Sequence, residues 1–278
     1  MGSFPDRVAN LTARAREVRF HIVRMIHAAQ SGHPGGSLSA ADIMTALYFD
    51  ILRVDPGDPR NPDRDRFVLS KGHACPVWYA CLALRGFFPV EELLTLRRFE
   101  SRLQGHPVAG KLPGIDATTG SLGVGFGQAV GMALEGKMRG KGYKVYAVLG
   151  DGETQEGIVW EAAASANKYG LDNLVAIIDN NGLQNDGFSK DVMPVEPLDE
   201  KFRSFGWDAM RINGHDMAQV LSALDGTRAQ QGRPLAIIAA TVKGRGVSYM
   251  ENVRGWHGKP PSDAELATAV EEIAGGLK

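Results

Sequence analysis

Residues 145–187 decide the fold, and they read VYAVLGDGETQEGIVWEAAASANKYGLDNLVAIIDNNGLQNDG. Residues 145–149 and 174–178 are uninterrupted apolar segments with the length of buried strands, and residues 158–168 between them have a helical pattern. Apolar strands joined through a helix are typical of a parallel sheet that is covered on both faces. The stretch therefore predicts an α/β fold of three layers, with a mostly parallel sheet flanked by helices.

The rest of the chain extends the same pattern in both directions. Further strands are predicted at 66–70, 207–212 and 235–241, and helices at 8–29, 77–84, 123–134, 216–231 and 263–273. Ser39 is predicted to cap another helix that runs through Ile51. Gly123, Gly127 and Gly131 share one helical face, which predicts close backbone packing there. We find no repeat or linker, so residues 1–278 are predicted to form a single domain.

Composition excludes several classes of protein. The 31 Lys and Arg residues nearly balance the 32 Asp and Glu residues, and a net charge of −1 indicates neither a nucleic-acid nor a membrane partner. The two cysteines, Cys75 and Cys81, cannot form a disulfide framework. We find no apolar run of signal-peptide or membrane-spanning length. We therefore expect a protein of the reducing cytoplasm.

Two polar residues follow neighbouring predicted strands. Asp151, within Gly-Asp-Gly, comes directly after the first strand of the stretch, and Asn181 follows the second. Ligands bind at the carboxyl edge of an open parallel sheet, where such strands end together. A carboxylate and an amide oxygen suit Mg²⁺, which takes its other ligands from phosphate and water, and Gly152 lets a phosphate approach the backbone. Alternatively, both residues stabilise loops only, since Asp and Asn favour turns.

Four of the seven histidines lie in loops rich in glycine: His33, His73, His106 and His257. Loops on a rigid scaffold commonly carry function, and neutral imidazole can donate, accept and shuttle protons near pH 7. Zinc binding is the alternative, but the four histidines lack short ligand spacing and a supporting cysteine pair. Residues 105–127 show little periodicity, which is typical of a functional loop.

The sequence resembles a known family. The stretch 150–187 is similar to the thiamine-diphosphate motif, which begins with GDG and ends at an asparagine about 30 residues later. Further motifs resemble transketolases, over nearly the whole chain and in the family's order: SGHPGG (31–36), DRFVLSKGHA (65–74), GHP (105–107), TTGSLGVG (118–125), VKGRG (242–246) and WHGKP (256–260). The resemblance implies the cofactor thiamine diphosphate and a metal held by Asp151, Asn181 and the main-chain carbonyl of Leu183.

The resemblance also implies roles for individual residues. The four loop histidines match catalytic family histidines that line the cofactor and donor-ketose channel, and His73 and His257 also contact the cofactor. Further cofactor contacts are implied for Gly120, Ser121, Leu122, Gly152, Glu156 and Lys243. From the residues alone, the alternative for Lys243 is a solvated surface charge, and Glu156 is equally a charge in the first turn of a helix. His215 is interpreted as loop before a helix cap at Asp216. Family members often have a hydroxyl residue where Gly36 stands, which leaves the donor preference open.

Length is the main departure from the family. A complete transketolase resembles this chain followed by two further domains, which supply the glutamate that activates the cofactor ring. The resemblance therefore implies the N-terminal subunit of a two-chain transketolase. The expected assembly is α₂β₂ with a C-terminal subunit that binds the pyrimidine ring, and the expected reaction transfers a two-carbon ketol group between sugar phosphates. Half of a deoxyxylulose-phosphate synthase-like enzyme and a non-catalytic cofactor-binding module remain alternatives.

Overall fold

A parallel sheet of five strands forms the centre of the molecule. The computed structural model describes residues 2–275, and Met1 and residues 276–278 of the predicted domain lie outside that range. The strands lie in the order β1-β2-β3-β5-β4, and all neighbours are parallel. Their bounds are β1 Arg66–Leu69, β2 Val145–Gly150, β3 Leu174–Asn180, β4 Asp208–Asn213 and β5 Leu235–Ala240. The predicted parallel α/β fold is confirmed.

Helices cover both faces of the sheet. One layer contains α1 (Phe4–Ala29), α2 (Pro34–Ser39), α3 (Ala41–Ala46), α4 (Cys75–Arg85), α9 (Met217–Gly226) and α10 (Asp263–Gly275). The other contains α5 (Val124–Met138), α6 (Gly157–Lys168) and α8 (Leu198–Ser204), and the short α7 (Ser189–Val192) lies beyond β3. Among residues 2–275, no helix is long and apolar enough to cross a membrane.

The two cores follow from the alternation of side chains along the strands. In β2, Tyr146 and Val148 face the layer of α1, whereas Val145 and Ala147 face the layer of α5. Successive side chains of a strand point to opposite faces, so an all-apolar strand needs cover on both. This is why the uninterrupted apolar segments of the sequence are interior strands. β4 lies at the edge of the sheet, where most of its side chains are partly exposed.

The helix predicted to be capped by Ser39 is wrong in detail. Ser39 ends α2, and α3 begins only after Ala40 and is followed by a π-helical turn at Leu47–Ile51. The Ser39 hydroxyl donates to the Gly36 carbonyl and to the Asp179 carboxylate instead of to a helix end. A buried tertiary partner therefore outweighs the local capping preference of serine.

The predicted glycine face is right at one position and wrong at another. A Cβ on Gly123 would lie 2.4 Å from Ile158 Cγ2, so α5 and α6 approach closely there, but a Cβ on Gly131 would meet nothing within 4 Å. The glycine that packs against the sheet is Gly125, where a Cβ would lie 2.8 Å from Ser70 Cα. The backbone of α5 thus lies directly against the end of β1.

These glycines give a stability prediction. We expect Gly125→Ala to destabilise the protein by about 1–3 kcal/mol, because the new methyl group meets backbone that cannot move aside. Gly131→Ala, in the same helix but facing open space, should stabilise it by up to about 1 kcal/mol through helix propensity. Urea unfolding of both variants measures the difference. Equal stability of the two variants would contradict the close approach of α5 and β1.

Candidate active site

A cavity of about 390 Å³ opens at the carboxyl edge of the sheet, beyond the ends of β1, β2, β3 and β5. It is lined by most of the residues predicted from sequence, namely His33, His73, Gly120, Leu122, Asp151, Gly152, Glu156, Asn181, Leu183, Lys243 and His257. Ser121 and His106 are exposed and do not line it, although the His106 ring lies 6.5 Å from that of His33. The sheet order explains the convergence, because parallel strands end at one edge.

Asp151 meets the turn that follows β3. Its carboxylate accepts hydrogen bonds from the Gly182 amide, at 3.1 Å, and from the Ser189 hydroxyl, at 2.7 Å. Gly182 lies between Asn181 and Leu183, so the carboxylate borders both predicted metal ligands. Burial, and to a smaller degree the charge of Asp179, raise the pKa of Asp151, against the hydrogen bond from Ser189. Within the described residues no Lys or Arg forms an ion pair with this carboxylate.

Lys243 connects the turn at residues 181–183 to a histidine. Its Nζ lies 2.7 Å from the Leu183 carbonyl oxygen and 2.8 Å from His257 Nδ1, and the residue is only 3% exposed. Burial and the nearby charge of Lys71 lower the pKa of Lys243 to about 8. The interpretation of Lys243 as a surface charge is therefore wrong. Because the ammonium donates to Nδ1, the geometry assigns the His257 proton to Nε2.

Three of the predicted histidines form a compact cluster. The ring centroids of His33, His73 and His257 are 5.2–5.3 Å apart, and that of His106 lies 6.5 Å from His33. Burial and neighbouring cations lower the pKa of His33 to about 4 and that of His257 to about 3, and the pKa of His73 also lies well below its usual value. These three rings are therefore neutral at pH 7.

Arg97, which sequence reasoning missed, joins the two histidine loops. Its guanidinium donates to the Ser31 hydroxyl at 2.8 Å, the Gly105 carbonyl at 3.2 Å and His33 Nδ1 at 3.4 Å. It thereby holds the loop before α2 against the loop that carries His106. The contact at Nδ1 leaves the His33 proton on Nε2, as in His257.

A buried ion pair, also missed, forms the floor of the cavity. The Asp179 side chain is inaccessible to solvent and that of Lys71 is 2% exposed. The carboxylate accepts hydrogen bonds from Lys71, Ser39, Thr241 and the side-chain amide nitrogen of Asn181. Burial alone would raise the pKa of Asp179, but the charge of Lys71 and these hydrogen bonds outweigh it and hold the pKa below its usual value.

The sequence carried a signal for this pair. Asp179 is a charged residue near the end of an otherwise apolar buried strand, and Lys71 follows β1 after a single residue, Ser70. Buried charges are rarely found without partners, so each residue implied an opposite charge at this edge. Their pairing across 108 residues of sequence could not be predicted without the strand order.

Glu153 connects the residues after β1 and before α5 to its own loop after β2. Its carboxylate accepts from the Ser70 hydroxyl at 2.5 Å and from the amides of Gly123 and Gly150 at 2.8 and 3.1 Å. Three segments around the cavity are thereby held by one buried carboxylate, whose pKa is raised by burial. The loop predicted at 105–127 gains its order from such contacts up to residue 123, and its last four residues begin α5.

The remaining predicted residues lie at the mouth and wall of the cavity. Glu156 is exposed and precedes the first turn of α6, where its side chain makes no capping hydrogen bond. Gly120 has φ +158°, and a Cβ there would lie 3.3 Å from the His106 ring. A Cβ on Gly36 would lie at ordinary contact distances, 3.6 Å from His73 Nε2 and 4.0 Å from Ala74 Cβ. The wall therefore has room at Gly36 for the hydroxyl residue that the family often places there.

The ion pair gives a second prediction. We expect Lys71→Met to destabilise the protein by about 3–5 kcal/mol, because it leaves the Asp179 carboxylate buried without its cation. The double variant Lys71→Met/Asp179→Asn should recover most of this loss, since the lone charge is gone. Lys168→Met, at an exposed helix position, is the control and should stay within about 0.5 kcal/mol. Urea unfolding measures all three, and a double variant less stable than Lys71→Met would contradict the pairing.

Comparison with known proteins agrees with this geometry. Residues 11–275 match the family described as the thiamine diphosphate binding domain of transketolase. The chain is 42% identical over 268 residues to one subunit of the apulose-4-phosphate transketolase of Phocaeicola vulgatus, with 96% of this chain and 95% of that protein covered. It is 44% identical over 242 residues to the 6-deoxy-6-sulfo-D-fructose transketolase subunit SqwG of a Clostridium species, with 87% and 88% covered.

A solved structure is similar as well. The transketolase from Leishmania mexicana superposes with a TM-score of 0.89 at 29% identity over 99% of this chain. This chain spans 42% of the length of that enzyme, whereas it spans nearly all of the two bacterial subunits. The family match over most of the chain and the identity to subunit-sized relatives agree: the chain belongs to the transketolase family, as a thiamine diphosphate-binding domain.

Proposed function

We propose that this chain is the N-terminal subunit of a two-chain transketolase, which transfers a two-carbon ketol group from a ketose phosphate to an aldose phosphate. In this proposal residues 1–278 act as a single domain that anchors thiamine diphosphate and Mg²⁺. A C-terminal subunit completes the site in an α₂β₂ assembly in the cytoplasm. The observation that carries the proposal is the convergence of Asp151, the turn 181–183 and the histidine cluster on one cavity.

The donor set fits a magnesium ion better than a transition metal. Among the described residues, no three His, Cys, Asp or Glu side chains are grouped to hold a metal by themselves. What the edge of the sheet offers is one carboxylate, from Asp151, one amide oxygen, from Asn181, and the Leu183 carbonyl. Such hard oxygen donors, few in number, suit Mg²⁺ that is also bound to phosphate and water. Asp151 is 2% exposed and lacks an ion-pair partner among those residues, so a cation would stabilise its charge.

The walls of the cavity fit the diphosphate. Gly120, Leu122 and Gly152 bring main chain to the cavity surface beside His73, and Lys71 and Lys243 supply positive charge below it. When bound, thiamine diphosphate supplies the nucleophilic carbon that takes up the ketol fragment. The chain itself would hold the diphosphate, orient the cofactor and exclude water from the buried side of the site.

The histidines would bind and orient the sugar. With their protons on Nε2, neutral His33 and His257 can donate hydrogen bonds to hydroxyl or carbonyl oxygens of a ketose. Their lowered pKa values make them poor sites for a positive charge, so at pH 7 they act as neutral hydrogen-bond donors and acceptors. His106 stands next to His33 and would extend this row of donors and acceptors along the substrate.

The relatives support the presence of a second chain. The Phocaeicola protein is by name one subunit of a transketolase, and this chain covers 95% of its length, whereas the Leishmania transketolase has more than twice the length that this chain covers. A chain of subunit size that holds the diphosphate half of the site would need a second chain for the other half. Two buried, unpaired cysteines are compatible with the reducing cytoplasm.

We expect ketol transfer only from mixed chains. The assay measures transfer from xylulose 5-phosphate to ribose 5-phosphate with Mg²⁺ and thiamine diphosphate. It is run with this chain alone and with the product of the neighbouring gene, and is repeated with other ketose donors. Activity of the isolated chain would overturn the half-site proposal. Cofactor binding by the mixture without transfer from any donor would favour the non-catalytic alternative.

The metal site gives a matched pair of variants. Asp151→Asn should lower ketol transfer by the mixed chains about 100-fold or more, since the ligand charge is lost while the size is kept. Asp191→Asn, on the exposed turn near Ser189, should leave the rate unchanged. Isothermal titration with thiamine diphosphate and Mg²⁺ should show the same contrast in affinity. Full activity of Asp151→Asn would rule out the proposed metal ligand.

A further inference from the structure

Three buried polar side chains from separate elements meet behind the cavity. Arg19 of α1 donates to both carboxylate oxygens of Asp42 of α3, at 3.0 and 2.6 Å. His215, in the turn between β4 and α9, donates from Nδ1 to the same carboxylate at 2.8 Å. Each side chain is at most 10% exposed. We call these residues the rear triad.

The rear triad holds one loop at two points. The Val242 amide donates to His215 Nε2 at 2.8 Å, and Arg19 Nε donates to the Arg245 carbonyl at 3.1 Å. The two anchored residues flank Lys243 and Gly244. Two contacts are enough to restrict this short loop, because one fixes the backbone before Lys243 and Gly244 and the other fixes the backbone after them.

The chemistry of each group supports this arrangement. Because Val242 N–H donates to Nε2, the ring proton of His215 lies on Nδ1, where Asp42 accepts it. Burial would raise the pKa of Asp42, but the charge of Arg19 and the hydrogen bonds from His215 and Arg19 outweigh it and keep the carboxylate ionised. Asp216, next in sequence, caps α9 as predicted, with Ala218 and Gln219 amides as donors. Capping therefore does not involve the His215 side chain.

The anchored loop carries a group of the cavity. Lys243 reaches from it to the Leu183 carbonyl and His257, and the Gly244 amide donates to the Gly35 carbonyl at 3.0 Å, in the first turn of α2, which directly follows His33. Gly246 has φ +97°, and a Cβ there would lie 2.9 Å from Arg19 Cδ. The loop backbone thus lies directly on the Arg19 side chain.

We propose that Arg19, Asp42 and His215 are positioning residues. They hold the 241–246 loop so that Lys243 reaches the turn at 181–183 and His257. None of the three residues lines the cavity, so the effect of the triad passes through Lys243. What Lys243 serves there rests on the proposed function, but the positioning itself can be tested without cofactor or partner.

Two variants of His215 separate the roles of its nitrogens. His215→Gln places an oxygen near the position of Nε2 and keeps an acceptor for the Val242 amide, whereas His215→Asn keeps a donor near Asp42 and loses that acceptor. Hydrogen–deuterium exchange of the isolated chain should be about tenfold faster at 241–246 in His215→Asn, as expected for one lost hydrogen bond. In His215→Gln it should stay near the unaltered chain. Peptides of β2 and α6 report whether the fold is intact.

Arg19→Lys tests the second anchor and is available if His215→Asn exchanges throughout the chain. Lysine keeps a positive charge beside Asp42, but it replaces three separated donors, Nε to Arg245 and Nη1 and Nη2 to Asp42, with a single nitrogen. Faster exchange confined to 241–246 is expected. Unchanged exchange in both His215→Asn and Arg19→Lys, or equal acceleration in His215→Gln and His215→Asn, would overturn the proposal.

A double-mutant cycle shows whether the effect passes through Lys243. In the mixed chains, His215→Asn should weaken thiamine diphosphate binding in the presence of Mg²⁺ about tenfold, and should weaken it no further when Lys243→Met is already present. Additive losses would overturn the positioning role. If the unaltered mixture binds no cofactor, the proposed function fails, and the exchange experiment still decides the role of the rear triad.

Discussion

The ion pair of Lys71 and Asp179 is the constraint on which the rest of the site depends. Both groups are buried at the point where β1 and β3 end, and the carboxylate also holds Ser39 and Thr241, while Lys71 holds the Gly36 carbonyl at 2.9 Å. Three segments that are distant in sequence are thereby fixed to one carboxylate of β3. Burying two charges is costly, so the pair is stabilising only with this full set of hydrogen bonds. The segments around the ion pair are positioned by these hydrogen bonds.

Burial and three nearby cations set the protonation state of the histidines. Lys71, Lys243 and Arg97 surround the histidine cluster, and together with burial they keep His33, His73 and His257 neutral. Hydrogen bonds to Nδ1 then place the protons of two rings on Nε2. Charge and hydrogen bonding thus act at different levels, since the first sets whether a ring carries one proton or two, and the second sets which nitrogen holds it.

The sequence predicts the scaffold better than the polar contacts. Residues 145–187 predict two interior strands, their helix and the parallel sheet because apolar runs have no other stable environment. The residues that follow those strands, Asp151 and Asn181, are predicted to converge for the same reason. The role of Ser39 is mispredicted because its hydroxyl bonds to the distant Asp179 carboxylate. The role of Lys71 is missed because its partner, also Asp179, lies 108 residues away in sequence. Such contacts depend on strand order, which local patterns do not contain.

The two lysines of the cavity differ in how their charges are balanced, and this difference bears on what the site can bind. Lys71 pairs directly with Asp179, whereas Lys243 is held by a carbonyl and a neutral ring, and Asp151 is held by an amide and a hydroxyl. An ammonium and a carboxylate with only neutral partners are electrostatically unsatisfied, since neutral hydrogen bonds compensate a buried charge only in part. A cation beside Asp151 and an anion beside Lys243 would satisfy both at once. A metal diphosphate has that pair of charges, and the edge of the sheet holds the two complementary groups on neighbouring loops.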